Sequence, residues 1–152
     1  KIYPKEAKKF IDQYFALYKK VKIYMDETVA EAEKLGYTQT MMNRKRYMPD
    51  LKSQNRQVRE AAGRVAINSP VQGSAADLIK LAMIRLAQQI SKKKLKSRMI
   101  LQVHDELVFE CPQEEEQEMR ALVKKEMEEV FPLKVPLVVD MGWGKNWNTA
   151  HH

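Results

Sequence analysis

Apolar residues recur at helical spacing through the first third of the chain. They stand at Phe10, Tyr14, Tyr18, Val21, Met25, Val29, Ala32 and Leu35. The spacing predicts a long helix that begins near Pro4, because proline suits a first helical turn. We expect a bend near Tyr18–Val21 and an end at Gly36, since glycine is a favoured C-terminal cap.

Two short runs, 37–42 and 46–48, flank the dipeptide Asn43-Arg44 and precede Pro49-Asp50. Asparagine tolerates the backbone conformations of tight turns, and proline closes the second run. The pattern therefore predicts a small β-hairpin over 37–48.

Pro70 lies inside a long stretch of helical pattern. Proline lacks an N–H and collides with the carbonyl group four residues earlier, so we expect the helix over 54–67 to be interrupted there. Ser74, with Asp77 three residues later, is typical of a new helix start. The segment 75–90 is apolar on nearly all sides, which predicts a buried helix.

Strand patterns follow in the C-terminal half. Residues 98–103 and 106–111 are two apolar or alternating runs joined by a tight turn, and 135–141 is a third run beyond an amphipathic helix. The chain is thus predicted to be an α+β protein. Its antiparallel sheet would contain the 98–111 hairpin and the 135–141 strand, packed on long helices, with the 37–48 hairpin at the periphery.

Composition indicates an ordinary globular domain, because 44% of the 152 residues are hydrophobic and 31% are charged. No apolar run is long enough for a transmembrane helix. The single cysteine, Cys111, favours a reducing, cytoplasmic location. The chain starts at Lys1 without methionine, so we expect a longer parent protein or a trimmed piece. His151 and His152 are either native or the remnant of a tag.

Charge is unevenly distributed along a chain whose net charge is +7. Residues 34–98 carry 15 Lys or Arg and three acids, whereas residues 105–129 carry ten acids and three bases. The basic stretch fits a polyanion, and the acidic stretch beside it could attract metal ions. Two solvated faces of an ordinary protein are the alternative interpretation.

His104, Asp105 and Glu106 lie at the turn between the two central strand patterns. Adjacent carboxylates repel each other unless a cation, solvent or a basic partner compensates them. Mg²⁺ fits, because it takes one or two protein carboxylates together with substrate phosphates. A polar β-turn without chemistry is the alternative, since aspartate is a common turn residue.

Arg64, Asn68 and Gln72 recur every four residues among small neighbours, and would share one helical face if Pro70 were absent. All three donate hydrogen bonds, and every correct base pair offers purine N3 or pyrimidine O2 acceptors in the minor groove. Solvated polar residues on a kinked helix are an equally good interpretation. If nucleic acid binds, phosphate contacts would come from Arg44, Lys45, Arg46, Lys52, Arg56 and Arg59.

Four segments of the chain have the form and order of one known enzyme family. Gln102–Val108 and Arg64–Lys80 carry the motifs just described, Gly36–Asp50 is the predicted small hairpin, and Val135–Trp147 closes the chain. Together they resemble the C-motif, the segment before it, the fingers hairpin and the last strand of family A DNA polymerases of the bacterial polymerase I type. Glu106 distinguishes the chain from phage-type RNA polymerases, which carry serine at that position.

The resemblance implies a role for each candidate residue. Asp105 would be one of two palm aspartates that bind two catalytic Mg²⁺ ions, Glu106 an auxiliary acid, and His104 a contact to the primer terminus. The minor groove of the template–primer would be contacted by Arg64, Asn68 and Gln72.

The resemblance also implies an incomplete active site. Residues 1–68 would derive from the fingers and 69–152 from the C-terminal half of the palm. The family's upstream Asp-Tyr-Ser motif and its nucleotide-binding helix do not occur in the sequence. One aspartate cannot hold two metal ions, so we expect the chain to be inactive alone. Activity would need template–primer DNA, deoxynucleoside triphosphates and the remainder of a polymerase.

Two other functions stay open. A non-catalytic DNA-binding module would use only the basic face. A different metal-dependent phosphoryl-transfer enzyme would use Asp105, Glu106 and Glu110, because strand alternation places the two glutamates on one face.

Overall fold

The computed structural model describes residues 3–150, so His151 and His152 lie outside the described residues. The chain divides into two compact units, which we call unit 1 (residues up to Ser74) and unit 2 (residues from Ala75). Within residues 3–150, no helix combines the length and the apolar character needed to cross a membrane.

Unit 1 begins with two consecutive helices, α1 (Pro4–Leu17) and α2 (Lys19–Leu35). Tyr18 separates them with φ −105° and ψ 59°, which places the break at the predicted bend. Gly36 ends α2 with φ 80°, a left-handed conformation that glycine adopts without a steric cost. The predicted C-terminal cap is therefore confirmed.

The predicted small hairpin consists of β1 (Tyr37–Gln39) and β2 (Lys45–Tyr47), which pair in antiparallel register with Tyr37 opposite Tyr47. Asn43 adopts φ 61° in the connecting loop, as expected of a turn asparagine. A 3₁₀ turn over Pro49–Lys52 follows.

A single long helix, α3 (Arg56–Lys92), continues through Pro70 without a break. The predicted interruption at this proline and the predicted helix start at Ser74 are both wrong. Proline in a helix interior costs about 3 kcal/mol, yet α3 is continuous across Pro70. The Ser74 hydroxyl donates to the carbonyl oxygen of Pro70 at 2.5 Å, so Ser74 is an interior helical residue rather than a cap. Asn55 caps the true start, because its Oδ1 accepts the Gln57 N–H at 2.9 Å.

The core of unit 1 lies between α2, the 3₁₀ turn and the first part of α3. Its buried members are Ala32, Met48, Leu51, Ala62 and Ala66. The described part of α1 contributes no buried residue.

Unit 2 contains the second part of α3 and a hairpin of β3 (Arg98–Val103) and β4 (Glu106–Glu110). The strands pair in antiparallel register, with an irregularity between Met99 and Leu101. A 3₁₀ turn leads into α4 (Glu116–Glu128). The buried core consists of Leu86, Met119, Leu122 and Val123.

The segment 135–141 is not a strand, which corrects the predicted third strand of the sheet. The antiparallel sheet of unit 2 has two strands, β3 and β4. Pro136 cannot donate to a ladder, and the Val139 N–H donates to the Glu128 carboxylate at 3.0 Å instead of to a neighbouring strand. The α+β class is nevertheless confirmed, with long helices and two small antiparallel sheets. The described chain closes with α5 (Trp147–Ala150).

Candidate nucleic-acid interface and metal ligands

Arg64, Asn68 and Gln72 are all exposed and lie on one face of α3, which we call the donor face. Residues four apart on a continuous helix lie one above the other. The absence of a break at Pro70 therefore brings the three predicted residues together.

The helix behind the donor face is built from small buried residues. Ala62 is 7% exposed, Ala66 is fully buried and Ser69 is 8% exposed. These residues pack inward, while the longer polar side chains of the donor face point outward. The donor face can thus offer guanidinium and amide donors to a large acceptor-bearing partner.

His104 and Asp105 form the two-residue turn of the unit 2 hairpin, because Val103 and Glu106 are the last paired residues. His104 has φ 52°, which is uncommon for a residue with a side chain. The side-chain amide of Gln102 donates to the His104 carbonyl oxygen at 2.5 Å and holds the turn from one side. Asp105 is exposed at the tip, and Glu106 is half-buried.

The acids of this hairpin do not assemble a complete metal site. Within residues 3–150, no group of three or more His, Cys, Asp or Glu side chains is arranged to hold a metal ion. Glu110 instead pairs with Arg98 across the hairpin at 2.6 Å. This arrangement disfavours the separate phosphoryl-transfer enzyme built on Asp105, Glu106 and Glu110. Asp105 stays exposed, and its carboxylate oxygens are of the type that Mg²⁺ prefers.

Several of the predicted phosphate-binding side chains already interact within unit 1. Arg44 donates to the Gly73 carbonyl oxygen and Arg46 to the Ser69 hydroxyl, each at 3.1 Å. The Lys45 ammonium lies 4.4 Å from the centre of the Tyr37 ring. Arg44 and Arg46 therefore fasten the hairpin of unit 1 to α3, a role that sequence reasoning missed, whereas the Lys45 contact lies within the hairpin.

Two further arginines of α3 make local contacts. Arg56 pairs with Glu60 one turn later at 2.7 Å, and this interaction raises the pKa of the guanidinium and lowers that of the carboxyl group. Arg59 donates to the Ser53 carbonyl oxygen at 2.9 Å. Both arginines are exposed, so their remaining donors can still meet phosphate.

The predicted site residues fall into two groups. The donor face belongs to unit 1, and the turn with Asp105 belongs to unit 2. One sequence signal could have revealed the hairpin contacts. Ser69 and Ser74 place hydroxyl groups on either side of the helical Pro70, and Gly73 lies between them.

Comparison with known proteins gives consistent matches over nearly the whole chain. Residues 1–149 match the model of the family described as DNA polymerase family A. The DNA polymerase I of Caldicellulosiruptor bescii is 54% identical over 147 residues, which are 97% of this chain and 17% of that protein. The DNA polymerase I of Mycobacterium leprae is 49% identical over 152 residues, which are 100% of this chain and 17% of that protein.

A solved structure matches in fold as well as in sequence. The POL domain of Pol1 from M. smegmatis, in complex with DNA primer-template and dNTP, has a TM-score of 0.97 and 50% sequence identity. The match covers 99% of this chain and 27% of that chain. The chain therefore spans about a quarter of that structure and a still smaller share of the curated relatives.

Proposed function

Since the chain belongs to DNA polymerase family A, we propose that it forms part of a template-directed DNA polymerase that extends a primer 3′-hydroxyl. The observation that carries this proposal is the match of the whole fold to a polymerase domain solved with primer-template and dNTP. Residues 1–68 derive from the fingers and 69–152 from the C-terminal half of the palm. The partners are template–primer DNA, deoxynucleoside triphosphates and the remainder of the polymerase.

Asp105 provides one carboxylate for two Mg²⁺ ions, and Glu106 is an auxiliary acid. The exposed position of Asp105 at a two-residue turn supports this role, because a hard cation prefers accessible oxygen ligands. Asp105 would hold the ions through its carboxylate oxygens, and two-metal chemistry there would activate the primer hydroxyl and stabilise the departing pyrophosphate. The hairpin offers only part of the ligand set within residues 3–150, so the other ligands belong to another part of the polymerase.

His104 contacts the primer terminus, and the donor face follows the minor groove of the newly formed duplex. The minor-groove role of the donor face is supported by its exposed donors four residues apart on α3, since minor-groove acceptors are common to all correct base pairs. Such contacts report pair shape without selecting a sequence.

The single thiol, Cys111, and a DNA substrate favour a cytoplasmic location. The roles of such a polymerase are in DNA replication and repair.

The isolated chain does not extend a primer, because one aspartate cannot hold both metal ions. The test uses the purified 152-residue chain alone and a chimera in which it replaces the aligned segment of the C. bescii DNA polymerase I. The chimera is expected to extend a primer, and the chain alone is not. Extension by the chain alone would refute the proposed inactivity.

Asp105→Asn in the chimera is expected to lower kcat by at least about 100-fold, because a metal ligand contributes several kcal/mol. Glu110→Gln is the matched control on the same hairpin. Glu110 pairs with Arg98 at the surface, and an exposed pair contributes about 0–1 kcal/mol. Activity of Asp105→Asn equal to that of Glu110→Gln would refute the assigned role.

A non-catalytic DNA-binding module is the second candidate, favoured by the basic stretch and the exposed donor face. Fluorescence anisotropy with a labelled duplex measures the affinity of the chain itself. Gln72→Ala should weaken binding, whereas Gln88→Ala, at another exposed position of α3, should not. DNA binding together with an inactive chimera would favour the module over the polymerase.

A further inference from the structure

The unit 1 hairpin contacts α3 beside and behind the donor face. Arg46 donates from Nη1 to the Ser69 hydroxyl at 3.1 Å. Arg44 donates from Nη2 to the Gly73 carbonyl oxygen, also at 3.1 Å. These two arginines therefore reach the helix one turn apart.

Further donors reach the same stretch of α3. The backbone N–H of Met41, in the hairpin loop, donates to the Ser74 hydroxyl at 2.9 Å. That hydroxyl in turn donates to the Pro70 carbonyl oxygen. From α2, the Tyr24 hydroxyl donates to the Ile67 carbonyl oxygen at 3.2 Å. The helix around its proline thus receives donors from α2 and from the hairpin.

Helical geometry separates these contacts from the donor face. At about 100° per residue, Ser69, Gly73 and Ser74 lie about 100° to 140° around the axis from Asn68. Gln72 lies only about 40° from Asn68 on the same scale. The hairpin therefore contacts the sides and back of the segment whose front carries Asn68 and Gln72.

Proline makes this segment dependent on support. Pro70 has no N–H, so the Ala66 carbonyl oxygen lacks its usual helical donor, a defect that favours bending. A bend between Asn68 and Gln72 would change the distance between their amide groups. Contacts at Ser69 and Ser74, on either side of Pro70, oppose such a bend.

We propose that Arg46 is a positioning residue: by donating to Ser69, it keeps Asn68 and Gln72 in register for adjacent minor-groove acceptors of duplex DNA. This inference rests on the proposed function, because it assumes that the donor face meets the minor groove. Arg46 would then have a role different from a direct phosphate contact, although the residue is exposed. Its orientation towards a buried hydroxyl favours the positioning role.

The test measures DNA affinity of the 152-residue chain on two duplexes of the same sequence. One carries normal purines, and the other carries 3-deazapurines, which pair normally but lack the minor-groove N3 acceptor. Loss of two uncharged hydrogen bonds predicts about tenfold weaker binding of the modified duplex by the unsubstituted chain. Arg46→Ala is expected to reduce this ratio to below about twofold. Ser69→Ala, a smaller change at the other partner, should act in the same direction.

Arg56→Ala is the matched control, because Arg56 is an exposed arginine of α3 that pairs only locally with Glu60. It should leave the ratio between the two duplexes unchanged. A general loss of folding would weaken both duplexes equally and also leave the ratio unchanged, so the ratio isolates positioning.

Two outcomes would overturn the inference in distinguishable ways. If Arg46→Ala weakens binding of both duplexes equally and lowers the salt dependence, Arg46 contacts phosphate and does not position the donor face. If the unsubstituted chain binds both duplexes equally, the minor-groove function fails, and the inference fails with it.

Discussion

Ser97 donates two hydrogen bonds to one carboxylate oxygen of Glu115, from its backbone N–H at 2.9 Å and from its hydroxyl at 2.6 Å. The other oxygen of Glu115 accepts the Lys96 N–H at 2.8 Å. Together these bonds tie the start of β3 to the turn that precedes α4. They also lower the pKa of the Glu115 carboxyl group, with the Ser97 hydroxyl as the largest cause and the Lys96 N–H next.

Glu115→Gln should destabilise the protein in a pH-dependent way. A carboxyl group with a lowered pKa in the folded state contributes stability above its ordinary value of 4.5, and that contribution is lost as the pH falls through the folded value. The free energy of unfolding should therefore differ most between the two proteins at neutral pH and converge below pH 4.5. Urea denaturation at several pH values measures this. Glu114→Gln, at the exposed neighbouring position, is the matched control.

Leu86→Ala should remove a large part of the core of unit 2. Leu86 is fully buried among Met119, Leu122 and Val123. Such truncations cost about 2–5 kcal/mol, because the removed methyl groups leave a cavity. Ile84→Ala is the control on the same helix, since Ile84 is 56% exposed. Equal changes in the free energy of unfolding for the two variants would contradict this core.

Gly73→Ala should loosen the hairpin of unit 1, although alanine favours helices. A Cβ atom at Gly73 would lie 2.7 Å from the Cγ2 atom of Thr40, closer than real contacts allow. Thr40 is 7% exposed, and its hydroxyl accepts the N–H groups of Met42 and Arg44. The hairpin must therefore shift, and the thermal midpoint should fall.

Two further variants isolate the steric cause. Gly63→Ala, where the nearest atom is 4.0 Å away, should stabilise the same helix by about 0.5–1 kcal/mol. Thr40→Ser deletes Cγ2 and keeps the hydroxyl, so it should restore most of the stability lost in Gly73→Ala. A double variant no more stable than Gly73→Ala would show that the clash is not the cause.

His104→Gly should stabilise the turn of unit 2 while removing the imidazole. A left-handed backbone costs a residue with a Cβ atom about 1 kcal/mol, and His104 has φ 52°. Thermal unfolding should therefore show a higher midpoint for His104→Gly than for His104→Ala, which keeps the Cβ atom. In the chimera, both variants should lower primer extension alike if the imidazole contacts the primer end. Unchanged extension in both would remove that role.

Local chemistry made several elements predictable. The break at Tyr18, the cap at Gly36 and the turn at Asn43 depend on backbone preferences of single residues, and all three occur as predicted. The motif around Asp105 was equally readable, because two acids at a turn between strand patterns are visible without tertiary contacts. Its assignment to catalysis remains a prediction.

The course of α3 could not be read from local rules. Pro70 predicted a break in α3. In the folded chain, Arg46 and the loop of the unit 1 hairpin contact Ser69 and Ser74 from positions distant in the sequence. The Ser74 hydroxyl also faces inward and donates to the Pro70 carbonyl oxygen. In the same way, the 135–141 pattern has the apolar content of a strand. Pro136 and the bond from Val139 to Glu128 give it another conformation.

The amino-acid pattern predicted both hairpins, the family, and the residue types available for metal and minor-groove binding. These depend on periodicity, turn preferences and motifs within a few residues of one another. That Arg64, Asn68 and Gln72 share one continuous helical face became evident only in the folded chain. A proline inside a helix locally favours a break, whereas the folded chain adds contacts from the hairpin of unit 1 to Ser69 and Gly73 on either side of Pro70.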